Sequence, residues 1–325
     1  MTVRFPEIIT QNSVMGDLLQ YLELIAPSGQ PVLILGETGV GKELFARALH
    51  DASGRDGLFI AVNVAGLDDH MFSDTLFGHV KGTYTGADSD REGLVSRAAG
   101  GTLFLDEIGD LAEPAQIRLL RLVQEQEYYR LGCDTPSRSD ARIVIATNRD
   151  LRRAMNDGRF RKDLYYRLFA HQIPVPPLRS RPDDIPLLLD SFVRYAAQSL
   201  GREVPSYHPE LITLLGSYSF PGNVREFQAM VFEAVARSGG GKISLDLFKE
   251  IILRERSDAL PAQGGAGRPE VPPVIAFSRF PTLKEAEDLL IAQALALAKS
   301  NQGVAAAMLG ISRQALNRRL QPKDK

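Results

Sequence analysis

The feature that most constrains this chain is a short apolar run that breaks into glycines and then into a helix. PVLIL at residues 31–35 is followed at once by Gly36, Glu37, Thr38, Gly39, Val40, Gly41, Lys42 and Glu43, and residues 43–52 carry helical periodicity. A strand that is apolar on both faces belongs inside a parallel sheet, where helices cover both sides. In the turn after it, glycines let backbone N–H groups face an anion, Lys42 adds a mobile positive charge, and the helix N-terminus adds its dipole. The strand before and the helix after separate this phosphate cradle from a glycine-rich turn of no function. The residue after the lysine in such cradles is usually a Ser or Thr that holds Mg²⁺. Glu43 cannot replace a hydroxyl, so a metal ion here is expected to rely more on water and on a second acidic site.

That second site follows another apolar strand. Runs at 58–62, 102–105 and 142–146 alternate with helical segments, one of them carrying Ile117, Leu120 and Val123, which predicts an α/β fold with a parallel sheet. The run at 102–105 ends in Asp106 and Glu107, two carboxylates at the C-terminal edge of a buried strand, where open α/β sheets bind ligands. Asp106 is expected to hold hydrated Mg²⁺ and Glu107 to polarise the attacking water, the division of labour that phosphoryl transfer to water needs. An acidic pair after a strand is often only a solvated loop; beside the phosphate cradle it points to ATP hydrolysis.

The rest of the chain divides by composition. We expect an α/β nucleotide-binding part at 1–172, an all-helical lid at 173–256, a linker at 257–280 rich in Pro, Gly and Ala, and a compact helical tail at 281–325. Thr282 and Glu285 have the spacing of a capping box, opening a long helix over 283–299. With 325 residues, 44% of them hydrophobic, the chain is long enough for two or three units. A net charge of −2 argues against general nucleic-acid affinity, so any DNA contact must come from a local basic surface. A single cysteine, Cys133, excludes an internal disulfide and a cysteine metal cluster, and the five histidines show no paired ligand spacing. The N-terminus lacks the apolar core of a signal peptide and no run approaches the roughly 18 apolar residues of a membrane span, so a cytoplasmic protein without a membrane partner is expected.

The sequences GETGVGKELFARALH at 36–50, GGTLFLDEIGDL at 100–111, RIVIATNRDL at 142–151, FRKDLYYRL at 160–168 and FPGNVREF at 220–227 resemble, in order and spacing, the AAA+ domain of bacterial enhancer-binding proteins, the activators of sigma-54 RNA polymerase. Glu43 fits, since the family commonly has Glu there. The resemblance implies an AAA+ P-loop ATPase that uses ATP and Mg²⁺. It implies that Asn63 holds Glu107 back until nucleotide and target are sensed, that Asn148 senses the γ-phosphate, and that Arg225 is a second sensor. Arg161 and Arg167 resemble arginine fingers that reach into a neighbouring subunit, which makes the working form a ring, a hexamer by family analogy. The loop by which the family contacts sigma-54 usually reads GAFTGA; here it is Gly82, Thr83, Tyr84, Thr85, Gly86 and Ala87. The glycines, Thr85 and an aromatic are kept, whereas Thr83 replaces the alanine and Tyr84 adds a hydroxyl.

The tail reads as helix, tight turn, helix, with small residues at 305–307, Gly310 in the turn and Ser312 as N-cap of the second helix. Arg313, Arg318, Arg319, Lys323 and Lys325 against Asp324 make this end basic, and Arg313, Gln314 and Asn317 are placed to face base edges. It resembles the Fis-type domain that closes enhancer-binding proteins, with the helix over 283–299 as dimerisation element. The leading expectation is a sigma-54-dependent activator bound at an upstream DNA site. A DNA-binding regulator with a vestigial ATPase and a general AAA+ remodelling enzyme are the alternatives; the first would be expected to lose the GAFTGA-like loop, and the second leaves the helix-turn-helix without a purpose. Because the nucleotide module begins almost at Met1, no N-terminal receiver or ligand-sensing domain is expected.

Overall fold

Five parallel strands lie side by side in the order Phe59–Asn63, Thr102–Asp106, Arg142–Thr147, Val32–Leu35, His171–Pro174. They belong to a computed structural model that describes residues 5–239, 241–258 and 282–320. The chain forms two units, Met1–Asp184 with Pro221–Glu226, and Ile185–Phe220 with Phe227–Lys325.

In the first unit the two-residue period of the strands sorts side chains to opposite faces. Val32, Ile34, Phe104, Val144 and Ala146 pack on one side with Met15 and Leu22 of the helix Ser13–Ile25 and with Phe45 and Leu49 of the helix Lys42–Ser53. Leu33, Leu103, Leu105, Ile143 and Ile145 pack on the other with Phe72 and Leu76 of Asp69–Phe77, Leu119 and Leu122 of Glu113–Glu125, and Leu164 and Leu168 of Lys162–Leu168. The register aligns the C-terminal ends: Leu35 lies opposite Thr147, Asn63 opposite Asp106, and Asp106 opposite Ala146. Everything that follows those residues in the chain therefore emerges along one edge of the sheet.

Two features differ from the sequence expectation. The strand His171–Pro174 was not among the apolar runs, and the expected boundary at 172/173 falls inside it. It is short and ends in proline, which an edge strand tolerates because its outer side needs no ladder hydrogen bonds. Arg142, read only as the start of an apolar run, is among the largest fully buried side chains. Its guanidinium donates to the carbonyls of Ile25 at 2.9 Å and Ala26 at 2.5 Å, closing the C-terminal end of the first helix, where the dipole favours a cation. Burial, with Arg55 nearby, pushes its pKa down to about 10.

The second unit is helical. Leu188, Leu189 and Val193 of Asp184–Ser199, Leu211 and Leu214 of Glu210–Gly216, Phe227 and Val231 of Asn223–Arg237, and Phe248 and Ile252 of Leu245–Asp258 are buried. The expected linker at 257–280 lies, beyond Asp258, outside the described residues. Helices Leu283–Leu297, Gln302–Leu309 and Arg313–Leu320 follow, and the Thr282–Glu285 capping box forms at the start of the first, two residues shorter at its end than expected. Gly310, at φ +70°, makes the turn between the last two.

Candidate functional site

The shared sheet edge opens into a cavity of about 590 Å³ lined by Thr38, Gly39, Gly41, Lys42, Glu43, Asn63, Asp106, Glu107, Asn148 and Arg225, among others. Gly39 and Gly41 have φ of +79° and +104°, a region in which an L side chain is strained. At Gly39 there is also no room: a Cβ would stand 2.2 Å from the Gly222 carbonyl oxygen. The Gly39 carbonyl accepts from the backbone N–H of Val224 at 3.0 Å and Arg225 at 3.3 Å, which is how the segment Pro221–Glu226 brings Arg225 to the cavity.

Lys42 is buried, and its ammonium donates to the Gly36 carbonyl at 3.0 Å and to Glu107 Oε1 at 3.3 Å. Glu107 sits at φ +62°, a left-handed conformation that turns its carboxylate into the site, and its Oε2 accepts from the Asn148 backbone N–H at 3.2 Å. The Asn148 amide donates to Thr38 Oγ1 at 3.0 Å, joining the end of one strand to the phosphate turn. Asp106 accepts from the Glu107 N–H at 3.0 Å, and burial raises its pKa, with Lys42 pulling the other way. Lys42, Asp106, Glu107, Asn148 and Arg225 are thus brought together at one cavity. Asn63 reaches the same cavity, but its Oδ1 accepts from the Ala65 N–H at 2.8 Å, and Glu107 is held by Lys42 and Asn148 instead.

Other expected residues are engaged by partners of their own. Glu37 turns out of the cradle into a two-pronged pair with Arg179, at 2.7 and 2.5 Å, and accepts from the Asn223 amide at 3.1 Å. Arg179 holds the Glu37 carboxyl below its ordinary range. Val40 packs in the core with its carbonyl bound by Arg181, and Glu43 pairs with Arg47 one helical turn on. Arg179 and Asn223 were missed; the available signal was an arginine-rich turn, LRSR at 178–181, and an asparagine before a helix, neither of which names a partner. Arg161 and Arg167 do not line the cavity. Arg161 binds Asp163 at 2.7 Å and Glu113 at 3.4 Å beside a separate hollow, and Arg167 is exposed.

The loop 82–87 is closed by bonds from the Gly82 N–H to the Ala87 carbonyl, 2.9 Å, and from the Ala87 N–H to the Tyr84 carbonyl, 3.0 Å, with Thr85 and Gly86 exposed. In the second unit, Ser312 Oγ caps the last helix through the Ala315 N–H at 3.2 Å. Arg313, Gln314 and Arg318 are exposed on that helix, whereas Asn317 is half-buried with a shielded Oδ1 and Arg319 is bound to Glu287. Lys323 and Lys325 lie outside the described residues.

Known proteins carry the same order of parts. Residues 8–174 match the Sigma-54 interaction domain, 179–264 the AAA+ ATPase lid domain, and 282–321 the Fis family of bacterial regulatory proteins. The chain is 45% identical over 244 residues to the formate hydrogenlyase transcriptional activator of Salmonella typhimurium, covering 75% of this chain and 35% of that protein. It thus spans about a third of the length of that relative. It is 40% identical over 310 residues to the transcriptional regulatory protein ZraR of Salmonella typhi, covering 95% of this chain and 67% of that one. A crystal structure of NtrX from Brucella abortus in complex with ATP superposes with a TM-score of 0.72 at 29% identity, over 96% of this chain and 68% of that chain. With a Sigma-54 interaction domain over half its length, an AAA+ lid and a Fis-type helix-turn-helix, the chain belongs to the bacterial sigma-54 enhancer-binding family of AAA+ proteins.

Proposed function

We propose that this protein binds DNA upstream of a promoter, assembles into a ring, and uses ATP hydrolysis to remodel sigma-54 RNA polymerase to the open complex. The observation that carries the reading is the meeting of Lys42, Asp106, Glu107, Asn148 and Arg225 in one cavity at the sheet edge. A cation for the phosphates, a carboxylate for a metal and a second carboxylate for water are there within reach of one another.

In this reading Lys42, the backbone of 36–42 and the helix N-terminus bind the phosphates of ATP. Two adjacent carboxylates at the cavity, with Glu43 in place of a hydroxyl after Lys42, suit a largely hydrated Mg²⁺ held through Asp106; the ion, when bound, neutralises phosphate charge. Phosphate takes Lys42 away from Glu107, whose Oε is then free to accept the proton of the attacking water. Asn148 senses the γ-phosphate from its place on Thr38, and Asn63 exchanges its local bond to Ala65 for Glu107 in the restrained state. Arg161 and Arg167, exposed or half-exposed and outside their own cavity, complete the site of the neighbouring copy in a hexamer. Arg313 and Gln314 read bases, and Arg318 contacts phosphate. A partner of this kind places the protein in the bacterial cytoplasm.

The deciding experiment is open-complex formation by purified sigma-54 polymerase on supercoiled DNA with this protein and ATP. Melting that requires ATP is the expected result. ATP hydrolysis at a measurable rate with no melting rejects the sigma-54 reading.

A further inference from the structure

Thr83 and Tyr84, the two residues at which loop 82–87 departs from GAFTGA, both make contacts that fasten it to the rest of the unit. Thr83 Oγ1 lies 2.5 Å from the Val80 carbonyl oxygen and 3.0 Å from that of Leu131, so its single hydroxyl hydrogen serves both. Leu131 already pairs with the strand before the loop, through Val80 N–H to Leu131 O at 3.1 Å and Leu131 N–H to Gly78 O at 2.9 Å. Next to it Gly132, at φ +77°, leaves the space that Thr83 occupies: a Cβ there would stand 2.2 Å from Thr83 Oγ1. An alanine at 83 could make neither hydroxyl contact.

Tyr84 is held at its ring. His70 meets it edge-on with centroids 4.8 Å apart and an interplanar angle of 78°, and His79 does so at 5.1 Å and 61°. Such edge-to-face pairs are favourable beyond the area they bury. The Tyr84 hydroxyl is 3.4 Å from His79 Nδ1. His79 is itself fixed, buried with Nδ1 2.5 Å from Asp74 Oδ1, and Asp74 is paired with Arg91.

We propose that Thr83 and Tyr84 latch the loop: the Thr83 hydroxyl ties it to the Leu131 turn so that the two move as one, and the Tyr84 ring, partly exposed, rests against His70 and His79 until it is released to meet a partner. Thr83, His70 and His79 are positioning residues for that encounter. The proposal rests on the reading of loop 82–87 as the partner-contacting element, and its test uses no polymerase, so that the two can fail separately.

The sequence has no tryptophan and one cysteine, Cys133, two residues beyond Leu131. Tyr84→Trp therefore places a unique fluorophore in the latch, and Cys133 is a unique thiol beside it. In the full chain without nucleotide, adding Thr83→Val to Tyr84→Trp is expected to shift emission to longer wavelength and raise quenching by acrylamide, while Thr83→Ser is expected to keep both as in Thr83. In the chain with native Tyr84, Thr83→Val is expected to speed alkylation of Cys133 about fivefold, the population change that one net hydrogen bond is worth, and Thr83→Ser to restore the slow rate. The alkylation measurement stands by itself if Tyr84→Trp does not fold. Equal alkylation rates for Thr83, Thr83→Ser and Thr83→Val overturn the latch, as does a Thr83→Ser chain that reacts as fast as Thr83→Val. Failure to melt DNA with these rates as expected overturns the sigma-54 reading instead.

Discussion

The ammonium of Lys42 stands 3.3 Å from Oε1 of Glu107, both side chains well shielded from water. In this state the group proposed to bind phosphate and the group proposed to activate water neutralise each other. On the proposed mechanism an arriving triphosphate competes for Lys42, and by taking it releases Glu107. Glu107→Gln removes the internal competitor while leaving the cradle in place. The variant is expected to bind ATP several-fold more tightly and to hydrolyse it at least about 100-fold more slowly, the low end of what a positioned general base supplies. Titration with a fluorescent ATP analogue and phosphate release measure the two effects; hydrolysis at the native rate removes Glu107 from its role.

Asp106 gives the site a pH dependence. Its carboxyl is held above the ordinary range chiefly by burial, with the Lys42 charge opposing. A raised pKa means that protonation sets in at higher pH than for a solvated aspartate, and the neutral acid is a poor ligand for Mg²⁺. The Mg²⁺-dependent part of ATP affinity is therefore expected to fall as pH drops, and to begin falling at a higher pH than a solvated aspartate would impose. Isothermal titration with and without Mg²⁺ across the acid range tests this, and Asp106→Asn is expected to abolish the pH dependence together with the Mg²⁺ effect. An unchanged profile in Asp106→Asn assigns the titration to another group.

The sheet and the cavity were legible because their signals are local. Apolar runs such as 31–35, glycines in a strand-to-helix turn and an acidic pair at a strand end carry their structural meaning in a few adjacent residues. What was missed depends on partners distant in the chain. His171–Pro174 is too short and polar to declare itself a strand, and becomes one by pairing with Val32–Leu35. Glu37 belongs to a glycine turn by sequence and to Arg179 and Asn223 by structure, across separations of 142 and 186 residues. Asn317 was placed with Arg313 and Gln314 at base edges, yet its position on the helix leaves Oδ1 shielded. A periodic pattern gives the face of a helix only as well as its burial boundary is known.

Arg142 illustrates the same limit and carries a stability prediction. No carboxylate neutralises it among the described contacts; the carbonyls of Ile25 and Ala26 receive its charge. Arg142→Met keeps the apolar stem and strands the Ala26 carbonyl, whereas the Ile25 carbonyl keeps the Ser28 N–H at 3.0 Å, so the expected loss is about 1–3 kcal/mol, that of one unsatisfied buried polar group. Urea denaturation followed by circular dichroism reads this as a lower midpoint with an unchanged slope. A midpoint equal to that of the native chain shows that the first helix is terminated by other means.

Arg161 tests where the active site ends. It is bound to Asp163 and Glu113 and stands outside the cavity of its own chain, so its loss leaves nucleotide contacts untouched. Arg161→Ala is expected to retain ATP affinity and lose about 1,000-fold in turnover, at the low end for an arginine finger. Lys42→Ala has the complementary defect, an intact Arg161 beside a cradle that cannot hold phosphate. Mixing the two inactive variants creates interfaces in which an intact cradle faces an intact Arg161, and partial ATPase activity is expected to return. Activity that stays absent at every mixing ratio, with mixed assemblies verified by cross-linking, places Arg161 outside the neighbour's site.

On the last helix, exposure separates residues by the measurement they should affect. Arg318 is exposed and makes no ion pair among the described residues, as a phosphate contact requires, so Arg318→Ala is expected to weaken binding to all DNA sequences alike and reduce the slope of log affinity against log salt by about one. Gln314 is exposed near the start of the helix, where base edges are reached, so Gln314→Ala is expected to cost about 1–3 kcal/mol on the preferred site and little on random DNA. Arg319 is engaged with Glu287 of the helix Leu283–Leu297. Its substitution should therefore act on the folding of the three-helix tail before it acts on DNA. Anisotropy titrations at several salt concentrations, with thermal melts of the same proteins, distinguish the three. If Arg319→Ala changes the salt slope and leaves the melt alone, its pair with Glu287 opens on DNA and Arg319 belongs with Arg318.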